Sequence, residues 1–232
     1  TVETADLDGD GDQDLILGNQ GLNLHYKPTS FAPMKMWIND YDNNGTIEQI
    51  FTLQEDGKDF PIHQKRELTE QLPNLKKQNL KASDYAQRTI QQLFPEEVLE
   101  KSIVKKVENS ASVIAINEGN GKFTIKNLPP RVQLSCVCDI TCTDVNNDGN
   151  LDLIMAGNNF DFKPQFSRLD AGQGNLLLGD GKLGFEWQDY ETSGFKVREE
   201  VKYLKMIKDK NGNIFMIAAI NNNMPKLFAI NE

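Results

Sequence analysis

The chain has 232 residues, 38% of them hydrophobic and 25% charged, and a formal net charge of −9. That is enough apolar material for a sizeable core, yet no apolar run approaches the roughly 20 residues of a membrane-spanning helix. An acidic balance without a basic stripe also argues against a nucleic-acid partner, because such a surface repels phosphate.

The first element is a short strand from Val2 that meets an acidic loop, Asp6-Leu7-Asp8-Gly9-Asp10-Gly11-Asp12-Gln13-Asp14. The pattern returns as Asp40-Tyr41-Asp42-Asn43-Asn44-Gly45-Thr46-Ile47-Glu48 and as Asp144-Val145-Asn146-Asn147-Asp148-Gly149-Asn150-Leu151-Asp152. Oxygen side chains at the odd positions surround a glycine at the sixth position, where a tight turn is needed. This is the ligand pattern of a hard, oxygen-seeking cation, and calcium fits a loop of this size better than magnesium, which demands a tighter octahedron. The candidate ligands are therefore Asp6, Asp8, Asp10, Asp12 and Asp14; Asp40, Asp42, Asn44, Thr46 and Glu48; and Asp144, Asn146, Asp148, Asn150 and Asp152, for up to three calcium ions. Three bound divalent ions would cancel much of the net charge.

An EF-hand needs a bidentate Glu at position 12 and flanking helices. Position 12 is instead Leu17, Phe51 and Met155, and each loop runs straight into an apolar, strand-like stretch. The ions are thus expected in turns between β-strands.

Residues 55–110 read as a helical insertion between strands of one module. Glu67–Lys77 is interrupted at Pro73. Ser83-Asp84 caps a segment with Ala86, Ile90 and Leu93, and Pro95-Glu96-Glu97 opens another with Val98, Leu99 and Ile103 at helical spacing. Beyond it a hairpin with a Gly-Lys turn occurs twice, Val113–Phe123 and Leu176–Phe185. Cys136, Cys138 and Cys142 fall on one predicted strand, where alternation would point all three to one side as core fillers. An i, i+2 disulfide between the first two would be strained.

Ordered together, these pieces give a four-strand module: strand A, acidic loop, strand B, variable connection, strand C, Gly-Lys turn, strand D. The first runs from Val2 through residues 14–19, with weak outer strands near 22–27. The second takes 34–40, 46–53, 112–117 and 122–127. The third takes 137–144, 151–156, 175–178 and 185–190. The fourth takes 201–208, 214–220 and 226–230, and its turn at Asp209–Asn213 lacks an acid at position 9, so no ion is expected there.

The Asp-x-Asp-x-Asp-Gly-x-x-Asp loop followed by Asp14-Leu-Ile-Leu-Gly-Asn19 resembles the FG-GAP or VCBS repeat, whose calcium-bearing propellers occur in integrin α-subunits and many secreted bacterial proteins. Gly18-Asn-Gln-Gly-Leu-Asn23, Asn39–Gly45 and Arg168-Leu-Asp-Ala171 are more narrowly similar to the propeller region of bacterial UnbV-type repeat proteins. The resemblance implies an all-β fold: a partial β-propeller of about three to four four-stranded antiparallel blades with a helical insertion. Blades over 1–54 would carry two calcium loops, and those over 111–232 the third. The chain opens within a blade and closes after three strands of another, which reads as the C-terminal part of a longer propeller with open edges prone to self-association.

In that arrangement the acidic loops sit on one face and the long connections Gly18–Pro33 and Asn158–Gly174 on the other. His25, Tyr26, Phe160, Phe162, Arg168 and Asp170 are the ligand-face candidates, with rings to stack and charges to bond a peptide or sugar. No nucleophile elbow, zinc helix or phosphate loop occurs, and the histidines His25 and His63 lie far apart. The expected function is a calcium-stabilised extracellular, periplasmic or cell-surface module that binds an unidentified protein or glycan, without catalytic residues. The alternative is a polysaccharide-acting glycosidase or lyase using acids such as Asp161 and Asp170.

Overall fold

The computed structural model describes residues 1–78, 81–162, 166 and 168–230. The chain divides into two compact units, Thr1–His25 with Ser110–Glu232, and Tyr26–Asn109.

In chain order the elements are β1 (Val2–Ala5), β2 (Asp14–Leu17), β3 (Met34–Asn39), β4 (Glu48–Glu55), β5 (Lys58–Pro61), α1 (Lys65–Gln71), α2 (Leu75–Gln78), α3 (Ala82–Ala86), α4 (Ile90–Leu93), α5 (Glu96–Leu99) and β6 (Ile103–Val107). There follow β7 (Val113–Asn117), β8 (Phe123–Asn127), β9 (Val137–Thr143), β10 (Asp152–Gly157), β11 (Asn175–Gly179), β12 (Phe185–Gln188), α6 (Tyr190–Ser193), β13 (Val201–Lys208), β14 (Ile214–Ile220) and β15 (Lys226–Ile230). The protein is mostly β, with all strand pairs antiparallel.

Among the described residues, the first unit holds three sheets, in strand orders β1-β2-β7-β8, β12-β11-β10-β9 and β13-β14-β15. Their first strands lie side by side, β1 against β9 and β9 against β13. Between the first and second sheets Ile16, Ile114, Val137, Ile140, Leu153, Met155 and Leu177 form one core. Between the second and third, Ile154, Ala156, Val201, Leu204, Met216 and Ala218 form another. β10 therefore sends Leu153 and Met155 one way and Ile154 and Ala156 the other, which is why its sequence is a continuous apolar run rather than an alternation.

Among the described residues, the second unit is a single sheet, β5-β4-β3-β6, with five short helices packed on it. Leu68, Leu72, Tyr85, Ile90, Leu93 and Leu99 from the helices close over Tyr41 and Ile50. Burying each such side chain fully contributes about 1.5–3 kcal/mol.

Four sequence expectations differ from the structure. Strands 113–117 and 123–127 belong with β1 and β2, not with the second acidic hairpin: Leu15 pairs with Ala115 and Leu17 with Val113. The reason is that β4 turns back on itself through Asp56-Gly57, whose φ values of 47° and 75° are those of a two-residue hairpin, so β5 covers its free edge. Residues 55–110 are consequently not all helical, since they include β5 and β6, and Ile103 is a strand residue paired with Ile38. The expected single helix through Ala86, Ile90 and Leu93 is two, because Thr89 starts α4 with a capping box closed by Gln92. Residues 22–27 form no strand.

Candidate metal centres and the loop-bearing ends of the strands

The three acidic loops fold alike, and the cause is local. Position 1 turns both carboxylate oxygens inward onto backbone N–H groups. Asp6 accepts from Gly9 at 2.8 Å and Gly11 at 3.0 Å, Asp40 from Asn44 at 3.0 Å and Gly45 at 2.8 Å, and Asp144 from Asp148 at 3.2 Å and Gly149 at 2.9 Å. Position 5 accepts from the N–H two residues on, at 2.7–2.8 Å, in Asp10, Asn44 and Asp148. Position 4 is left-handed in each loop, as Gly9, Asn43 and Asn147, with φ of 75°, 57° and 59°. Asn tolerates that region, and the glycines at position 6 occupy it at 97°, 85° and 88°.

Position 9 is the buried member: Asp14 is 2% exposed, Glu48 5% and Asp152 0%. Each carboxylate reaches back to the N–H of position 2, Asp14 to Leu7 at 3.1 Å, Glu48 to Tyr41 at 3.0 Å and Asp152 to Val145 at 2.8 Å. In the first unit the second oxygen does more. Asp14 also accepts from Asn117 N–H, and Asp152 from Gly179 N–H, both at 2.8 Å. The acid thus ties its loop to the end of the third strand of the sheet, a role that sequence spacing alone does not signal.

Among the described residues, two groups of carboxylates have ligand atoms within 4.8 Å of one another: Asp6, Asp8 and Asp10, and Asp40, Asp42 and Glu48. Asp42, a member of the second group, has its Oδ1 buried without a hydrogen-bond partner, an acceptor left unsatisfied by the protein. Asp8 is raised above the usual carboxylate range by burial and by repulsion from Asp10, then Asp14 and Asp6. The third loop differs. Asn146 donates its amide to Asp148 at 2.9 Å, and Asp148 is held low, first by the Asn150 N–H and then by the Asn146 amide. Asp12, Thr46 and Asn150 occupy position 7, whose contribution to a hard cation would be its backbone carbonyl. The turn at Asp209 is shorter, with Oδ1 accepting from Asn211 at 2.7 Å and Asn213 at 2.9 Å.

Asp144 and Asn147 border a cleft with Asn211, Gly212 and Asn213, so the third loop and the Asp209 turn share one end of the first unit. At the other end Asn158, buried and left-handed at φ 77°, is the organising residue. Its amide donates to Gly172 and Arg198 carbonyls at 2.9 Å, and its Oδ1 accepts from Gly172 N–H and Ser135 Oγ.

Of the ligand-face candidates, Arg168 lies 5.0 Å over the Phe160 ring and pairs with Asp170 at 3.2 Å. His25 and Phe162 each approach Phe166 at 6.3 Å. The five thus fall into two groups in the first unit, Arg168 with Phe160 and Asp170, and His25 with Phe162 around Phe166. Tyr26 belongs to the second unit, where it is buried and its hydroxyl is pushed upward, first by burial and then by Glu67. Part of the 158–174 connection lies outside the described residues.

The thiols also depart from expectation. Cys142 packs with Ile140 against the first core, while Cys136 and Cys138 approach each other with their sulfurs 3.9 Å apart. No helix among the described residues is long and apolar enough to cross a membrane. Comparison with protein-family models, with curated proteins and with solved structures finds no match.

Proposed function

We propose that the protein is a calcium-stabilised β-propeller module of the extracellular space, periplasm or cell surface, which binds a protein or glycan and carries no chemistry of its own. The observation that carries the reading is the orphaned, buried Asp42 Oδ1 within a group of carboxylates whose oxygens lie inside 4.8 Å, in a loop whose backbone is repeated twice elsewhere. All-oxygen loops of this size suit calcium, and millimolar extracellular calcium would saturate sites that cytosolic levels would not. The abutting first strands β1, β9 and β13, each opening a sheet of three or four strands, support a blade arrangement for the first unit. The FG-GAP or VCBS resemblance of the loops points the same way.

In such a module calcium would brace the turns at one end, and binding would fall to the connections at the other. There Arg168, Asp170 and Phe160 offer a cation, a carboxylate and a ring at one locality, and His25 a further ring beside Phe166. The test is calorimetric titration with calcium, then magnesium, followed by a glycan and peptide array read with wild type and Arg168→Ala. Calcium-selective binding and an array signal lost in the variant are expected. Absence of calcium binding would overturn the metal reading; an array profile that the variant leaves unchanged would overturn the site. Release of reducing sugar from a polysaccharide would replace the binding module with an enzyme.

A further inference from the structure

In a flat strand, residues i and i+2 lie on one face about 6.7 Å apart, too far for their sulfurs to meet. Cys136 and Cys138 escape that limit because the β9–β10 ladder slips between them: Gly157 opposes Val137 whereas Ala156 opposes Asp139, leaving Cys138 as the extra residue of a bulge. The same slip explains why Val137 and Ile140, three apart, both face the first core. Bulges re-aim side chains and cluster beside functional sites. Gly157 makes this one possible, since any Cβ there would collide with the Cys136 carbonyl. The frame is held by Asn158 N–H donating to that carbonyl at 3.3 Å and by Val137 N–H donating to Asn19 at 2.9 Å.

The result is a pair of unequal thiols. Cys136 is buried, 7% exposed. Cys138 is partly exposed, and both thiols border a cleft of about 520 Å³ with Gly18, Asn19, Asn159, Lys202 and Tyr203, at the end of the strands that also carries the 158–174 connection. We propose that Cys136 and Cys138 form a reversible dithiol site that undergoes exchange with low-molecular-weight disulfides, Cys138 attacking and Cys136 resolving. The Cys138 thiolate attacks one sulfur of the incoming disulfide, whose S–S bond breaks and releases one thiolate. Cys136 then yields its proton to solvent and attacks Cys138 Sγ, expelling the second thiolate. Two protein thiols become one disulfide while one external disulfide becomes two thiols.

The local charges suit these roles. With its proton toward Cys138, the Cys136 thiol favours the Cys138 thiolate and Lys202 adds to this, whereas burial, Glu200 and the Asn158 carbonyl, which accepts from the Cys138 thiol at 3.6 Å, oppose it. Cys136 is raised, by that same hydrogen bond first and by burial second. Cys142 is pushed up to about 12 by burial, then by Glu3, and takes no part.

The experiment is incubation of the native chain with oxidised glutathione, alkylation of remaining thiols and peptide mapping by mass spectrometry. A Cys136–Cys138 bridge reversible by dithiothreitol, formed without loss of the folded near-ultraviolet spectrum, is expected. Cys136→Ser should accumulate a glutathione adduct at Cys138, and Cys142→Ser should behave as wild type. The proposal is overturned if the first thiol to react in the native wild type is Cys142, or if bridging follows only unfolding. This second readout stands even where Cys136→Ser fails to fold, and neither outcome depends on the calcium reading.

Discussion

Asp14 and Asn117, 103 positions apart in the chain, meet at 2.8 Å, where the Asp14 carboxylate accepts the Asn117 backbone N–H. With its other oxygen on Leu7 N–H, this one buried acid closes the first loop and fixes it to β7. Asp152 repeats the arrangement with Val145 and Gly179.

Replacing Asp14 by Ala leaves two backbone donors without their acceptor. Each charge-assisted bond of this kind contributes about 1.5–3 kcal/mol, so Asp14→Ala should destabilise the first unit by about 3 kcal/mol or more. Asp12→Ala, at the exposed position 7, should change stability by about 0.5 kcal/mol or less in the absence of metal. Urea unfolding of the two variants side by side checks the contrast.

Metal should act on the native state alone. At a concentration one hundred times the dissociation constant a single site adds about 2.7 kcal/mol, so the unfolding temperature should rise in calcium, fall back with chelator and respond far less to magnesium. Asp42→Ala should remove the share due to the second loop, whereas Asp209→Ala should leave the calcium response intact. A calcium shift that survives Asp6→Ala, Asp42→Ala and Asp148→Ala in combination would place the ion elsewhere.

Gly149 sits at φ 88° with open space around its missing Cβ. Alanine there meets no neighbour, so its penalty is conformational, about 1–2 kcal/mol. Stability curves for Gly149→Ala with and without calcium should show that loss in both, together with a weakened calcium response if the loop must keep this backbone to bind.

Glu200 is held below its ordinary value of 4.5, chiefly by the hydrogen bond from Lys202, which lies 2.6 Å away, and then by Asn221. A lowered carboxylate stabilises the fold fully above its unfolded value, and that contribution is lost as pH falls through the folded one. Glu200→Gln should therefore be less stable than wild type at pH 7, with the gap narrowing below about pH 4.5 as the wild-type carboxylate protonates. A gap that stays constant through the acid limb would refute the assignment.

The two units can be separated by substitution. Ile50→Ala and Leu153→Ala each empty a fully buried position and should cost about 2–5 kcal/mol. Hydrogen exchange should report the first as faster opening of residues 26–109 and the second as faster opening of the sheets on either side of β10.

Everything governed by neighbours along the chain could be read from the sequence. The oxygen at every second position, the glycine at the sixth and the apolar run that follows specify a turn between strands, and all three loops fold as their spacing requires. The Asp56-Gly57 hairpin was equally written in two adjacent residues, though the helical pattern around it hid the signal. The pairings between distant segments emerge from the packed fold alone. The first two acidic hairpins each present an edge that could accept Val113–Asn117, and β2 receives it because β5 has already covered β4. The meeting of Cys136 with Cys138 belongs to the same class, since a bulge is a slip between two strands and neither strand encodes it alone. Local pattern fixes backbone conformation and the identity of ligand atoms; which edge is free, and which side chains then converge, depends on what else has already packed.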